Sequence, residues 1–234
     1  MKEIANNIYL IGKRRSNCYL LAGDDLALVD TGMPGDGKFI LAGIAEIGRS
    51  PGELRHILIT HAHMDHMGSV AAMKKASGAR VVASVREVDY IEGVKKTWTM
   101  GREGAAGKLF KAMLFLMENV FMRYEPAGVD IKCAGGELLD CFGGIRVIAA
   151  PGHSPGSLSY YVPSGKMLFT GDALSGAPAL KLPPRPGCAD YDAALMTVHK
   201  LAELDFDLCL FGHGEPLLHE ASQAVRRLAS SASR

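Results

Sequence analysis

The sequence predicts an α/β protein in which helices pack on β-sheets. Three apolar, β-branched stretches in the first thirty residues predict strands, and strands and helices then alternate as far as residue 93. Strands return after about residue 130 and are again followed by helices. Strands followed by helices, twice along the chain, indicate two similar halves with helices covering sheets.

The elements of the first half are bounded by turn and cap signals. Gly23 and Asp24 form a turn between two strands, Asp36 is a candidate helix cap, and Gly48 is a candidate helix end. In order, we predict strands over 7–11, 17–22 and 25–30, a helix over 36–47, a strand over 56–60, a helix over 69–77, a strand over 79–84 and a helix over 85–93.

The second half begins after a segment of different composition. Residues 94–127 are rich in Met, Phe and Lys and have helical spacing over 107–124, which predicts a helical insertion within a single domain of residues 1–234. The glycine-containing turns at 143–144 and 164–165 then predict hairpins. A helix over 191–204, a strand over 208–212 and a helix over 216–228 complete the prediction.

The composition excludes several classes of protein. The formal net charge of +1 gives no general attraction to nucleic acid or to an anionic membrane, so neither partner is expected. The N-terminal residues lack a secretory apolar stretch, and charged residues interrupt the apolar run 109–124, which argues against a membrane span. The five cysteines are scattered and form no C-x-x-C pair, as expected for free thiols in a reducing cytoplasm. We therefore expect a cytoplasmic protein.

The most informative motif is Thr60-His-Ala-His-Met-Asp-His-Met-Gly68. It places three imidazoles and a carboxylate within six residues, and these are metal ligands of the borderline and hard types. The motif follows the predicted strand 56–60 and precedes a predicted helix, where α/β folds usually carry function. If the segment is extended, residues 61, 63 and 65 face one way and residue 66 the other, so that one loop can supply two adjacent metals.

Three further strands end in the same kind of residue. In each case an apolar stretch is followed by a glycine and then by His153, Asp172 or His213. Glycine lets the backbone turn tightly and approach a ligand closely. Together with the first motif, four strand ends provide seven donors, which are five imidazoles and two carboxylates. This number suits two metals, with one carboxylate bridging them.

These motifs, in this order, resemble the metallo-β-lactamase superfamily. The T-H-A-H-M-D-H-M-G, P-G-H-S-P-G-S, T-G-D and G-H-G-E-P segments and the Val29-Asp30-Thr31-Gly32 turn all match, over roughly residues 7–220. The resemblance implies a four-layer αβ/βα sandwich, with two mixed β-sheets and helices on the outer faces. It is specific for the fold and not for a substrate.

The resemblance also implies a role for each donor. His61, His63 and His153 would hold the first metal, and Asp65, His66 and His213 the second, with Asp172 bridging. Asp30 would support the site or cap a turn. His56, His199 and His219 receive no role.

The implied chemistry is that of a dinuclear metallohydrolase. Two zinc ions per chain are expected, with iron or manganese as alternatives, and two metals about 3.5–4 Å apart can share a hydroxide because coordination lowers the pKa of water to about 7. Asp65 would orient that nucleophile and take its proton. An Asp at position 172, where some members that open lactams have Cys, favours a hydrolase of the general type.

The substrate is less sharply indicated. We expect a small ester, thioester or lactone. The alternatives are a mononuclear-iron sulfur dioxygenase and a phosphodiesterase or β-lactam hydrolase of the same fold. Helix 107–124 is interpreted as core packing, a homodimer contact or a lid over the substrate.

Overall fold

The computed structural model describes residues 1–11, 15–96, 112, 116, 123–176 and 179–232. The strands in these ranges are β1 (Lys2–Ala5), β2 (Ile8–Ile11), β3 (Cys18–Ala22), β4 (Leu26–Val29), β5 (Leu54–Leu58), β6 (Arg80–Ser84), β7 (Ile131–Cys133), β8 (Leu138–Leu139), β9 (Ile145–Ala149), β10 (Leu158–Val162), β11 (Met167–Gly171) and β12 (Leu208–Phe211). The α-helices are α1 (Gly37–Glu46), α2 (Met64–Met67), α3 (Val70–Ser77), α4 (Val88–Ile91), α5 (Tyr191–Ala202) and α6 (Ala221–Ala232).

The strands form two mixed sheets. The first has seven strands in the order β1-β2-β3-β4-β5-β6-β7, antiparallel as far as β4 and parallel from there on. The second has five strands in the order β12-β11-β10-β9-β8, and only the β11–β12 pair is parallel. In each sheet the parallel strands place their carboxyl ends along one edge, where the predicted donors follow them.

Three apolar clusters define four layers. The middle cluster lies between the sheets, where Tyr19 packs edge-to-face against Phe169 with the ring centroids 5.4 Å apart. A second cluster joins the seven-stranded sheet to α1, α3 and α4, and a third joins the five-stranded sheet to α5 and α6. The order is thus helix, sheet, sheet, helix, which confirms the predicted four-layer sandwich with helices outside.

Two local predictions were wrong in detail. Asp36 precedes α1, but its side chain does not cap the helix; instead Oδ2 accepts a hydrogen bond from the backbone N–H of Met33 at 2.9 Å. The last helix begins at Ala221 and not at Pro216, because residues 216–217 pair with β12 through Leu217 and Cys209.

The predicted insertion lies largely outside the described residues. Of residues 94–127, the structure describes only 94–96, 112, 116 and 123–127. The helix over 107–124, its three interpretations and the single-domain assignment therefore stay predictions. Among the residues described, no helix is long and apolar enough to cross a membrane.

Candidate metal centre

The predicted donors come together at one edge of the two sheets. The loop after β5 carries His61 and His63, and α2 carries Asp65 and His66. The second sheet contributes His153, Asp172 and His213 from the loops after β9, β11 and β12. Strand ends more than a hundred residues apart in sequence thus place their side chains in one cluster.

Three histidine nitrogens form the first group. His63 Nδ1 lies 2.9 Å from His61 Nε2 and 2.9 Å from His153 Nε2, and the three ligand atoms all lie within 4.8 Å of one another. Nitrogens bound to one tetrahedral zinc ion stand about 3.3 Å apart. The spacing of this group is therefore close to that of a zinc site with three histidines.

A second group lies beside the first. Asp65, His66 and His213 also bring their ligand atoms within 4.8 Å of one another. His213 Nε2 is 3.3 Å from His66 Nε2 and 3.4 Å from Asp65 Oδ2. This donor set of two imidazoles and one carboxylate suits zinc, iron or manganese.

The carboxylate of Asp172 lies between the two groups. Its Oδ2 is 3.3 Å from His153 Nε2 in the first group and 3.3 Å from His213 Nε2 in the second. Its other oxygen, Oδ1, is 3.5 Å from His66 Nε2. Asp172 is thus close to histidine nitrogens of both groups, and its role as a bridging ligand stays a prediction.

One oxygen of Asp172 is buried without a hydrogen-bond partner in the described part of the chain and is closely approached by the backbone. Asp172 Oδ1 is buried, and no donor among the described residues makes a hydrogen bond to it, although a buried carboxylate oxygen normally has a partner. A Cβ at Gly212 would lie only 2.2 Å from that oxygen, so the glycine permits the close approach. An unpartnered acceptor surrounded by histidine nitrogens fits a metal site.

The condition of an extended first loop is not met at Asp65. In an extended segment residues 61, 63 and 65 would face one way and residue 66 the other, whereas the resemblance grouped Asp65 with His66. Residues 64–67 instead form the short helix α2, so the extended alternation ends at His63. Asp65 consequently shares a group with His66 and not with His63.

The buried histidines of the two groups differ in the direction in which their pKa values are shifted. Burial, followed by the neighbouring His153, lowers the pKa of His63 to about 3, and burial also lowers the pKa of His61 and of His153. Burial opposes protonation of His66 as well, but the carboxylates of Asp172, Asp65 and Asp30 outweigh it and raise the pKa of His66 to about 10. The first group therefore consists of neutral imidazoles, the form that binds metals, and the second is a strongly anionic environment that attracts positive charge.

Asp30 orients a histidine in each group. It is buried directly after β4, with a φ of 59°, and its Oδ2 lies 2.8 Å from His66 Nδ1 and 2.8 Å from Thr60 Oγ1. Thr60 Oγ1 in turn lies 3.1 Å from His61 Nδ1. With Nδ1 as the donor in both rings, Nε2 is the atom that His66 and His61 direct into the two groups. Asp30 is thus more than a turn cap.

Sequence reasoning missed Asn17, which holds the turn around His213. Its Nδ2 donates to the carbonyls of Phe211 and Gly214 at 2.9 and 2.7 Å, and its backbone N–H donates to Gly212 at 2.8 Å. His213 Nδ1 donates to the Arg15 carbonyl at 2.6 Å. The N-terminal hairpin thereby fixes a histidine almost two hundred residues away.

Sequence reasoning also missed Glu87, a buried carboxylate after β6. It accepts hydrogen bonds from the backbone N–H of Ala62 and Gly156 and from Ser154 Oγ. No motif indicated either Glu87 or Asn17, because each acts through backbone atoms of another loop. The three histidines without a predicted role, His56, His199 and His219, belong to none of the donor groups found in the described part of the chain.

Comparison with known proteins identifies the family. The model of the metallo-β-lactamase superfamily matches residues 11–213. The probable metallo-hydrolase YflN of Bacillus subtilis (strain 168) is 24% identical over 92% of this chain and 86% of its own. A hydroxyacylglutathione hydrolase of Brucella anthropi is 29% identical, over 56% of this chain and 37% of its own.

A solved structure shows the same fold. BJP-1, a subclass B3 metallo-β-lactamase of Bradyrhizobium japonicum, superimposes with a TM-score of 0.74 and 26% identity, covering 99% of this chain and 90% of that one. The family match spans most of the chain and includes all seven donors. The chain therefore belongs to the metallo-β-lactamase superfamily, which is metal-dependent.

Proposed function

We propose that this protein is a dinuclear metallohydrolase that cleaves a small ester, thioester or lactone. The observation that carries the proposal is the position of Asp172, whose Oδ2 lies 3.3 Å from a histidine nitrogen of each donor group. One carboxylate shared by two groups is the arrangement expected for a pair of adjacent cations. His61, His63 and His153 would hold one cation and Asp65, His66 and His213 the other, with zinc favoured by the donor set.

The pair of cations would supply a nucleophile from water at neutral pH and would polarise the carbonyl of the substrate. The protein's part is to hold its donors in place and to accept a proton. Asp65 suits the second task, because its side chain is 27% exposed whereas that of His66 is fully buried. An accessible carboxylate at the rim of the cluster can orient a water molecule and take its proton.

A groove runs past the segments that carry Asp65 and His213, although none of the seven donors is among the residues that line it. The groove has a volume of about 750 Å³, which lies in the range of small-molecule sites. Arg15, Ser16 and Gly214 line one part of it, next to the segments that carry Asp65 and His213. Leu10 and Phe39 contribute apolar surface elsewhere in the groove. The similarity to a hydrolase named for a hydroxyacylglutathione adds support for an acyl substrate.

The test combines metal analysis with a substrate panel. The purified chain is analysed for metals and assayed with thioesters, lactones, a chromogenic lactam and bis-p-nitrophenyl phosphate. We expect two zinc ions per chain and the highest kcat/KM with a thioester or a lactone. His61→Ala should lower kcat by several orders of magnitude, whereas the exposed His219→Ala serves as the matched control and should leave it unchanged.

Other results would select another chemistry. One iron per chain together with oxygen uptake on glutathione persulfide would replace the hydrolase with a sulfur dioxygenase. A preference for the phosphodiester or the lactam would keep the metal site and change the substrate class. Near-normal turnover by a folded His61→Ala protein would overturn the proposed mechanism.

A further inference from the structure

Glu87 is buried where the two sheets meet at the donor cluster. It follows β6, precedes α4 and is 1% exposed. None of the described residues forms an ion pair with it. Burying a carboxylate without a cationic partner is unfavourable unless hydrogen bonds to the charged form compensate. Burial raises the pKa of Glu87, and the hydrogen bonds that partly offset this effect come from the loops that carry the first donor group.

Each carboxylate oxygen of Glu87 contacts a different loop. Oε2 accepts from the backbone N–H of Ala62 at 3.0 Å, and Ala62 stands between His61 and His63. Oε1 accepts from Ser154 Oγ at 2.8 Å and from the backbone N–H of Gly156 at 2.9 Å, in the loop that begins with His153. The first loop leaves the seven-stranded sheet and the second leaves the five-stranded sheet. One side chain therefore connects the loops that supply all three nitrogens of the first group.

The residues after His153 are shaped around this carboxylate. A Cβ at Gly156 would lie 2.6 Å from Glu87 Oε1 and 2.7 Å from its Cγ, so only glycine allows the contact. Ser157 Oγ lies 2.8 Å from Ser154 Oγ and accepts from the Ser154 backbone at 3.1 Å, which fixes the donor hydroxyl. The Ser-Pro-Gly-Ser part of the motif supplies no metal donor. It instead provides the groups that contact the carboxylate of Glu87.

We propose that Glu87 is a positioning residue that sets the distance between the His61–His63 loop and the His153 loop, and thereby the affinity of the first cation site. This role rests on the proposed metal centre. Glu87 contacts neither Asp65 nor His213 in the described structure, so the second site should depend on it much less.

Glu87→Gln is the diagnostic substitution. A glutamine offers one oxygen and one NH₂ group, whereas the N–H groups of Ala62 and Gly156 both require an acceptor. If the amide oxygen faces Ser154 and Gly156, the NH₂ group faces the Ala62 N–H, and the link to the His61–His63 loop is lost. Glu92→Gln is the matched control, because Glu92 follows the same helix and accepts from the Val129 N–H at 3.1 Å, with no contact to a donor loop.

The main measurement is the two-step binding of zinc to the metal-free protein, with the visible spectrum of the cobalt-loaded protein as a report of geometry. We expect Glu87→Gln to weaken one binding step about 10–100-fold, the usual effect of losing a residue that supports metal ligands, and to leave the other within about threefold. The cobalt spectrum should change, and kcat should fall with little change in KM. Glu92→Gln should match the wild type in all of these.

The outcomes separate the two proposals. A wild-type chain that binds no zinc or cobalt overturns the metal centre and this role together. A wild-type chain that binds both metals, with Glu87→Gln unchanged in affinity and spectrum, overturns only the role of Glu87, even if the variant is less stable. If Glu87→Gln does not fold, Ser154→Ala removes a single hydrogen bond to Oε1, and we expect it to weaken the same binding step less. An unchanged Ser154→Ala protein would then count against the proposal.

Discussion

Asp30→Asn tests whether one buried carboxylate orients a histidine in each group. Asp30 Oδ2 accepts from His66 directly and from Thr60 Oγ1, and Thr60 accepts from His61. The other oxygen, Oδ1, accepts from the Thr60 backbone N–H at 2.8 Å. Asparagine has nearly the same shape and tolerates the positive φ of this position, so the substitution changes the hydrogen bonding and not the backbone.

The magnitude follows from the two orientations of the new amide. With its NH₂ group at the Oδ1 position, the amide would face the Thr60 N–H, and a buried unsatisfied donor costs about 1–3 kcal/mol. With its NH₂ group at the Oδ2 position, it would donate to His66 Nδ1 and move the ring proton to Nε2, the atom that should bind the cation. Loss of such support lowers metal affinity about 10–100-fold, or about 1.4–2.7 kcal/mol.

The assay is zinc binding by competition with a chromophoric chelator, together with thermal unfolding of the metal-free protein. We expect both zinc-binding steps to weaken in Asp30→Asn, because the carboxylate supports a histidine of each group. Asp36→Asn is the control, since Asp36 accepts from the Met33 N–H in the same loop region. Wild-type affinity at both steps in a folded Asp30→Asn protein would refute the reasoning.

The remaining predictions concern the metal, the N-terminal hairpin and the thiols. Removing the metal with EDTA should abolish activity and lower the melting temperature by about 5–10 °C. A cation at a hundred times its Kd stabilises the folded protein by about 2.7 kcal/mol, and each kcal/mol shifts Tm by about 2–4 °C. Calorimetry before and after zinc is restored measures this shift, and an unchanged Tm would contradict the prediction. Asn17→Ala should weaken only the zinc-binding step that involves His213, because Asn17 fixes the turn at 211–214. Equal weakening of both binding steps in zinc titrations would count against this prediction. Treatment with iodoacetamide at pH 8 should leave activity within about twofold of the untreated protein. Four cysteines are buried, and burial raises the pKa of the fifth, Cys141, to about 11. If the reagent inactivates the protein and substrate prevents this, a reactive thiol lies at the site and the prediction is wrong.

The fold and the identity of the donors could be predicted from the sequence more fully than the spatial arrangement of the donors. Alternating apolar runs and turn residues were enough to predict most strands and helices, but not β1 or α2, and glycine followed by His or Asp marked the strand ends. The alternation expected of an extended segment does not apply to Asp65, because a short helix at 64–67 replaces the extended backbone. Local backbone conformation over four residues depends on tertiary contacts, such as the one from Ser16 Oγ to the Asp65 carbonyl, that no local pattern encodes.

The residues that sequence reasoning missed share a physical property. Glu87 and Asn17 act on the centre by bonding to backbone N–H and C=O groups of distant loops, and every residue except proline presents the same backbone groups. A motif search depends on side-chain identity. It therefore finds the candidate ligands but not the residues that fix the loops carrying them. Partial or full burial of a charged or amide side chain next to a donor loop is the signal that finds them, and it requires coordinates.

These supporting residues also make the two proposed cation sites separable by experiment. Among the donor loops in the described part of the chain, Glu87 contacts those of the first group and Asn17 the turn of the second, whereas Asp30 reaches His66 directly and His61 through Thr60. Substitution of Glu87 should therefore weaken one binding step, substitution of Asn17 the other, and substitution of Asp30 both. A pair of variants at Glu87 and Asn17 should have additive effects on binding, because they share no contact. If all three substitutions weakened both steps equally, the centre would behave as one inseparable unit, and the assignment of separate supports to the two donor groups would be wrong.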